Sequence, residues 1–370
     1  MKSRRVLLQS AAALVALSLA GPVAAQSAGP MPVVATFSIL GDMVKRIGGK
    51  HIALTTLVGP DGNTHIYKPT PAAARSVSEA KVLFVNGLEF EGWLDRLIDA
   101  SDFKGIRVVA TQGIEPIAYE EGEGHDDHHG KGHHDNHDHD KHDGQGKKYA
   151  EEKHHDKHDH GKHDDHGKKH AEEKHHGKHD HDKHDDHHAG HDHGAFDPHA
   201  WQSLKLAVTY VDNITAALAK ADPANAATFY GNRAVYVAEI EALDREIREN
   251  MARLPSSRRT VVTSHDAFQY FGRDYGLTFL APQGLSTESE ASAQDVARLI
   301  VQMRKEKISA VFIENITDSR LLEQIAKETG ASVGGTLYPG ALSGPNGPAP
   351  TYLDMMKHNY RTLVEALGVS

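Results

Sequence analysis

A tract of 69 residues, His125 to His193, constrains this 370-residue chain more than any other feature, because almost nothing in it can be buried. It is built almost entirely of His, Asp, Lys, Glu and Gly, holds 24 of the chain's 29 histidines and carries −7 of its net charge of −10. Without a run of apolar residues it cannot offset the entropy of ordering, so the composition predicts no packed structure in the absence of metal. Neutral imidazole is the commonest nitrogen donor for zinc-like ions, which makes such a tract a compositional metal binder. Inside it, the 21 residues from Lys147 are followed directly by a near copy from Lys168, changed only at Tyr149/His170, Asp156/Gly177, Gly161/Asp182 and Gly167/His188. Stacking as a solenoid needs a shared apolar face, and this unit offers none. The flanks must do the folding.

Those flanks are long enough for two ordinary lobes. No basic stripe of the kind a nucleic-acid binder needs is present. The chain has no cysteine, which excludes disulfides, thiolate metal sites, Cys nucleophiles and lipid attachment through an N-terminal Cys. At the start, Lys2, Arg4 and Arg5 precede an apolar run from Val6 to Leu19, and Val23-Ala24-Ala25 supplies small residues before Gln26. This pattern predicts an export signal over residues 1–25, cleaved near Gln26, and a periplasmic protein without a lipid anchor. The run is shorter than the ~20 residues that cross a bilayer. Arg4-Arg5 also fits a twin-arginine signal, so both export routes stay open.

From residue 26 the spacing predicts strands and helices in alternation. Val33–Ile39, Ile52–Val58, Val82–Asn86 and Ile106–Thr111 are of strand type, with helices expected over Gly41–Ile47, Pro71–Ala80 and Glu91–Ile98. Past the tract, Leu204–Lys220 reads as a helix. Asp222 then offers an N-cap and Pro223 a first turn to a long helix with a stripe at Tyr236, Ile240, Leu243, Ile247, Met251 and Leu254, ending by Pro255. A second series follows, with strands at Thr260–Thr263, Leu277–Leu280, Ile308–Ile313 and Val333–Leu337. Its helices are expected over Ser292–Lys305, Asp318–Thr329 and Thr351–Leu367. Alternation of this kind implies mostly parallel sheets in an α/β fold. The long helix is the natural strut between two lobes.

Five histidines lie outside the tract: His51, His65, His199, His265 and His358. His65 follows the turn residues Gly59 to Asn63 after a strand, and His265 follows the strand Thr260–Thr263. The carboxyl ends of strands line the ligand crevice of open α/β sheets. His199 stands in Asp197-Pro198-His199, where the tract re-enters the fold. These three are the candidate metal ligands, while His51 and His358 read as surface or structural residues.

Four motifs now resemble one family: Gly62-Asn63-Thr64-His65-Ile66-Tyr67-Lys68-Pro69-Thr70-Pro71, Asp197-Pro198-His199-Ala200-Trp201, the run Thr263 to Phe271 and the run Gly344 to Leu353. In this order they are similar to the zinc-type periplasmic solute-binding proteins of ABC metal importers. The resemblance implies two Rossmann-like α/β lobes joined by a single long helix, with the metal in the inter-lobe cleft. On this chain that gives an N-terminal lobe over 26–221 carrying the insertion 120–195, a linking helix over 222–254 and a C-terminal lobe over 255–370. It further implies His65, His199 and His265 as ligands, Zn(II) as cargo, a permease with its ATPase as partner, a periplasmic zinc chaperone as a further partner, and a monomer. Manganese members are similar but place a carboxylate at the position of His265, so histidine there argues for zinc, as imidazole chemistry does. Mn(II) and Fe(II) stay as alternatives. Relatives commonly supply a fourth, carboxylate ligand before the last helix, where this chain has Tyr338-Pro339-Gly340-Ala341-Leu342; Gly340 has no side chain to offer.

Three histidines and a water are also the pattern of a catalytic zinc site. A hydrolase would need a base, for which Glu288, Glu290 and Glu314 are candidates, but neither HExxH nor a nucleophile elbow is present, and a non-enzyme is expected. A metal buffer, with the tract as its working part, is the third reading. Deleting Gly124 to Gly194 separates it from the importer: equilibrium dialysis is expected to find one tight site surviving, whereas a buffer would lose nearly all its capacity.

Overall fold

The computed structural model describes residues 29–119 and 195–368. The expected signal segment, its cleavage site and nearly all of the His-rich insertion lie outside the described residues. The first lobe runs β1 (Met31–Phe37), α1 (Ser38–Gly48), β2 (Ile52–Val58), α2 (Pro71–Glu79), β3 (Val82–Val85), α3 (Leu94–Ser101) and β4 (Ile106–Val109). Its parallel sheet has the order β2-β1-β3-β4. Then come α4 (Leu204–Ala221) and α5 (Ala226–Ala252). The second lobe runs β5 (Thr260–Val262), α6 (Gln269–Tyr275), β6 (Thr278–Leu280), α7 (Ala293–Glu306), β7 (Ala310–Glu314), α8 (Arg320–Thr329), β8 (Ser332–Leu337) and α9 (Tyr352–Ala366). Its sheet, also parallel, has the order β6-β5-β7-β8.

Both sheets have helices on their faces, so their central strands are near-continuous apolar runs: every residue of β3 is buried, and so is every residue of β1 except Pro32. In both, the strand order reverses between the first strand and the third in sequence, which opens a crevice at their carboxyl ends. The helices start where polar caps allow. Thr70, Ser203, Ser292 and Thr351 each accept a backbone N–H from the first turn of α2, α4, α7 and α9.

Two expectations are corrected, and one element was not anticipated. The long helix does not start from Asp222: Pro223–Asn225 form a separate 3₁₀ turn, with Asn225 Nδ2 donating to Asp222 Oδ2 at 2.7 Å, and α5 begins at Ala226. The expected helix at Glu91 begins at Leu94, because the Glu91 carboxylate turns inward to accept from Thr36 Oγ1 and the Asn86 N–H. Helix α6 carries no clear sequence signal, since Tyr270, Phe271, Gly272 and Tyr275 bury most of so short an element and leave no contrast for a 3.6-residue period.

The 27 residues of α5 span about 40 Å. Its stripe of Tyr236, Ile240, Leu243, Ile247 and Met251 is buried along its length, against α1 and α4 towards one end and α6 and α9 towards the other. One continuous core therefore crosses from the first lobe to the second. Polar ties reinforce it: Asp61 N–H donates to Leu342 O at 2.8 Å, Leu342 N–H to Ser38 Oγ at 3.0 Å, and Tyr352 N–H to Asp42 Oδ2 at 2.9 Å.

Burial pushes the Asp42 carboxyl up to about 6, against the lowering effect of the Tyr352 N–H and Arg46. A carboxyl raised in the folded state costs stability above that pH, and the cost is relieved as pH falls through about 6. Asp42→Asn is therefore expected to raise the thermal midpoint at pH 8 by a few degrees, about 1 kcal/mol once partial exposure is allowed for, with the gain shrinking towards pH 5. Thermal melts of both proteins at the two pH values check it; a pH-independent difference contradicts it.

Candidate metal centre

The crevices of the two sheets face one another, and the three candidate histidines meet between them. His65 lies seven residues beyond β2, on a loop that turns because Asn63 Oδ1 accepts the His65 N–H at 3.1 Å. Trp93 Nε1 pins that loop through Thr64 O at 2.8 Å, and the edge of Phe90 packs on the His65 ring at 4.9 Å. His199 sits between the end of the insertion and a short 3₁₀ turn, Ala200–Gln202. His265 lies three residues beyond β5, and Glu314, the last residue of β7, is the neighbouring strand's contribution.

The ring centroids of the three are 5.4 to 5.7 Å apart. One nitrogen from each can be chosen so that all lie within 4.8 Å of one another, the sole such group of three or more potential ligands among the described residues. His65 Nε2 and His199 Nε2 are 3.4 Å apart. Two nitrogens bonded at ~2.05 Å to one tetrahedral ion stand about 3.3 Å apart, so this pair needs almost no adjustment. His199 and His265 are wholly buried and His65 is 7% exposed.

Two buried carboxylates aim the rings. Asp197 Oδ1 lies 2.8 Å from His199 Nδ1 and also accepts the His199 N–H at 2.9 Å. Glu314 Oε2 lies 2.6 Å from His265 Nδ1, while its Oε1 accepts the N–H groups of Ser264 and His265, both at 3.1 Å. A ring that gives its Nδ1–H to a carboxylate presents the Nε2 lone pair on its far side, which is the arrangement behind metal-binding imidazoles. His265 Nε2 is buried and has no partner. Three neutral imidazoles bring no charge, so two carboxylates directly behind them are the counter-charge that a divalent ion would meet.

The electrostatics differ among the three rings. Burial, with repulsion from the other two histidines, pushes the His65 imidazole well below its ordinary value of 6.5, and burial with His265 does the same to His199. At His265 burial opposes protonation, but the charge and hydrogen bond of Glu314 outweigh it and raise the group. Burial lifts Asp197 to about 7 and Asp266 to about 6.

His51 and His358 are elsewhere: His51 packs edge-on against Phe229, and His358 Nε2 meets Thr336 O at 2.9 Å. Of the carboxylates considered as a hydrolytic base, Glu288 and Glu290 are exposed, and Glu314 is occupied by Ser264 and His265. Gly340 is buried beside Pro339, whose carbonyl accepts from Trp201 Nε1 at 2.8 Å and Gln202 Nε2 at 2.7 Å. A Cβ at 340 would meet only Ile316 Cδ1, at 3.5 Å, so neither the backbone nor crowding demands glycine there. Beside the centre a cavity of about 540 Å³ is lined by Asn63, Ile66, Ser264, Thr287, Glu290 and Ile316 among others.

The family described as zinc-uptake complex component A, periplasmic, matches residues 33–366. The chain belongs to this family. It is a periplasmic metal-binding protein, the substrate-binding component of an ABC uptake system, and the family is one of binding proteins rather than enzymes. The manganese-binding lipoprotein MntA of Bacillus subtilis is 28% identical over 342 residues, 91% of this chain and 90% of that protein. The iron ABC transporter substrate-binding lipoprotein MtsA of Streptococcus pyogenes is 27% identical over 360 residues, 96% and 94% of the two chains. Among solved structures, the periplasmic zinc-binding protein TroA of Treponema pallidum superposes with a TM-score of 0.70 at 24% identity, covering 92% of this chain and all of the other, and shares the two-lobe fold.

Aspartates and histidines here pull stability in opposite directions with pH, so a single imidazole is the clean test. A histidine held neutral in the fold loses stability as pH falls through the unfolded value of about 6.5. In the metal-free protein, His65→Leu is expected to remove up to about 2 kcal/mol of the loss between pH 7.5 and pH 5. Denaturant melts at both pH values decide it, and an acid sensitivity equal to the parent's contradicts a neutral His65.

Proposed function

We propose that this protein captures Zn(II) through His65, His199 and His265 and presents it to a membrane permease carrying an ATPase, the His-rich insertion collecting zinc ahead of His199. The observation that carries the reading is the convergence of three buried imidazole nitrogens, from loops of both lobes, within 4.8 Å. The donor set is all nitrogen, which suits zinc better than manganese, an ion that prefers oxygen. The relatives bind manganese and iron by name, so Mn(II) and Fe(II) are the competing cargoes. With no side chain at Gly340, a water completes the fourth position in this reading.

The protein acts as a monomer, released into the periplasm after cleavage of residues 1–25, and receives zinc from the medium or from a zinc chaperone. The two relatives named above are lipoproteins, whereas this sequence contains no cysteine to carry a lipid, which supports the unanchored form. Binding takes place without turnover.

Chelator-competition titrations test the assignment. His265→Ala is expected to weaken tight Zn(II) binding by more than the roughly 10–100-fold that follows loss of a supporting partner. Parent-like affinity in that variant would falsify the ligand assignment. Gly340→Asp places a carboxylate where only Ile316 is close, and is expected to raise the Mn(II)-to-Zn(II) affinity ratio about tenfold, or ~1.4 kcal/mol. An unchanged ratio would mean that residue 340 does not face the ion.

A further inference from the structure

The two ends of the insertion are not loose. Ala118 and Phe196 form an antiparallel bridge, Tyr119 N–H donates to Ala195 O at 2.9 Å and Asp197 N–H to Ile117 O at 2.9 Å. Whatever residues 120–194 do, their ends are joined at a neck of three residues on each side. The last residue of that neck is Asp197, the carboxylate that holds His199 Nδ1.

One hydroxyl from the other lobe grips both sides of the neck. Tyr270, wholly buried on α6, donates to Asp197 O at 2.8 Å and accepts the Ile117 N–H at 3.1 Å. It stands five residues after His265, on the helix that continues from that ligand's loop. A second touch point lies alongside: a Cβ on Gly284 would come within 2.9 Å of Tyr119 Oη, Gly284 O accepts the Asp266 N–H at 3.1 Å, and Gln283 bridges His265. The neck is thus held against both the helix and the loop that place His265.

We infer that Tyr270 is a positioning residue for metal capture: its hydroxyl fixes the neck of the insertion so that Asp197 and His199 stay in register with His265 across the cleft. The chemistry is that of a supporting hydrogen bond one step behind an orienting carboxylate. Without it the neck keeps its own backbone bonds but loses the two hydrogen bonds that Tyr270 makes to it, and His199 can drift by tenths of an ångström from a position that a tetrahedral ion tolerates poorly. The inference rests on the proposal that His199 and His265 are ligands.

The test uses the full chain. In Tyr270→Phe the ring and its burial stay and only the hydroxyl goes. Zinc release to an excess of strong chelator is expected to quicken by about tenfold, within the range seen when such partners are lost. The visible absorption of the Co(II)-substituted protein, which reports ligand geometry rather than stability, is expected to change with it. Tyr360→Phe, whose hydroxyl pairs with Glu246 away from the site, serves as the control and should leave both unchanged. Parent-like release and spectrum in Tyr270→Phe overturn the inference, as does equal acceleration in Tyr360→Phe. Should Tyr270→Phe fail to fold, Ile117→Pro removes one N–H from the same hydroxyl and must quicken release; if it does not, the inference falls. His265→Ala keeps the two readings apart: retained tight binding there sinks the ligand assignment, whereas lost binding there with a parent-like Tyr270→Phe sinks only the neck.

Discussion

Three imidazoles that face one another in a buried pocket repel as cations and have no apolar surface to gain, so something must hold them there. Asp197 and Glu314 do this for two of the three, each taking a ring Nδ1 within hydrogen-bond distance and leaving Nε2 directed at the centre. Both carboxylates are themselves buried and tied to backbone N–H groups, so their aim is fixed by the main chain rather than by side-chain rotamers. Burial keeps His65 and His199 neutral, the form in which imidazole donates its lone pair. The side chains at the centre are therefore arranged as a donor set.

That order depends on the two lobes holding their separation. Had they been joined by flexible strands, the N–N distances at the centre would vary with every lobe movement. Instead α5 runs along both, its buried stripe shared by helices of each, and the segment from Tyr338 to Leu342 is clamped between them. Asn359 holds Tyr338 through both its backbone groups at 2.9 Å, Trp201 and Gln202 hold the Pro339 carbonyl, and Ser38 holds the Leu342 N–H. The stiffness of the centre is inherited from this seam and from α5.

The α/β alternation was legible because each strand is a short apolar run and each helix has a 3.6-residue stripe. Ile52–Val58 and the start of α4 at Leu204 needed no revision, and Gly330 ends α8 in the left-handed conformation at φ 77°. The misplacements have physical causes: α6 is too buried to show a period, Glu91 leaves its helix to fill a buried polar site, and Pro223 favours a tight turn over a helix start. At the centre the three histidines could be picked out by their place after a turn, after a strand and where the tract re-enters the fold, but their supports could not. Asp197 stands two residues before His199, a spacing too common to single out, and Glu314 is 49 residues from the ring it orients.

Read alone, the sequence shows which residues can be buried, where strands and helices alternate, that the tract from His125 to His193 has too few apolar residues to build a core, and that nitrogens are the candidate donors. These follow from composition and local period, which each stretch of chain carries on its own. Folding sets which histidines share one point in space, which carboxylates stand behind them, that glycine at 340 answers to no backbone demand, and that Tyr270 joins the neck of the insertion to the opposite lobe. Those are distances between residues far apart in the chain, and they are set by how two sheets pack around a shared helix, which no local pattern records.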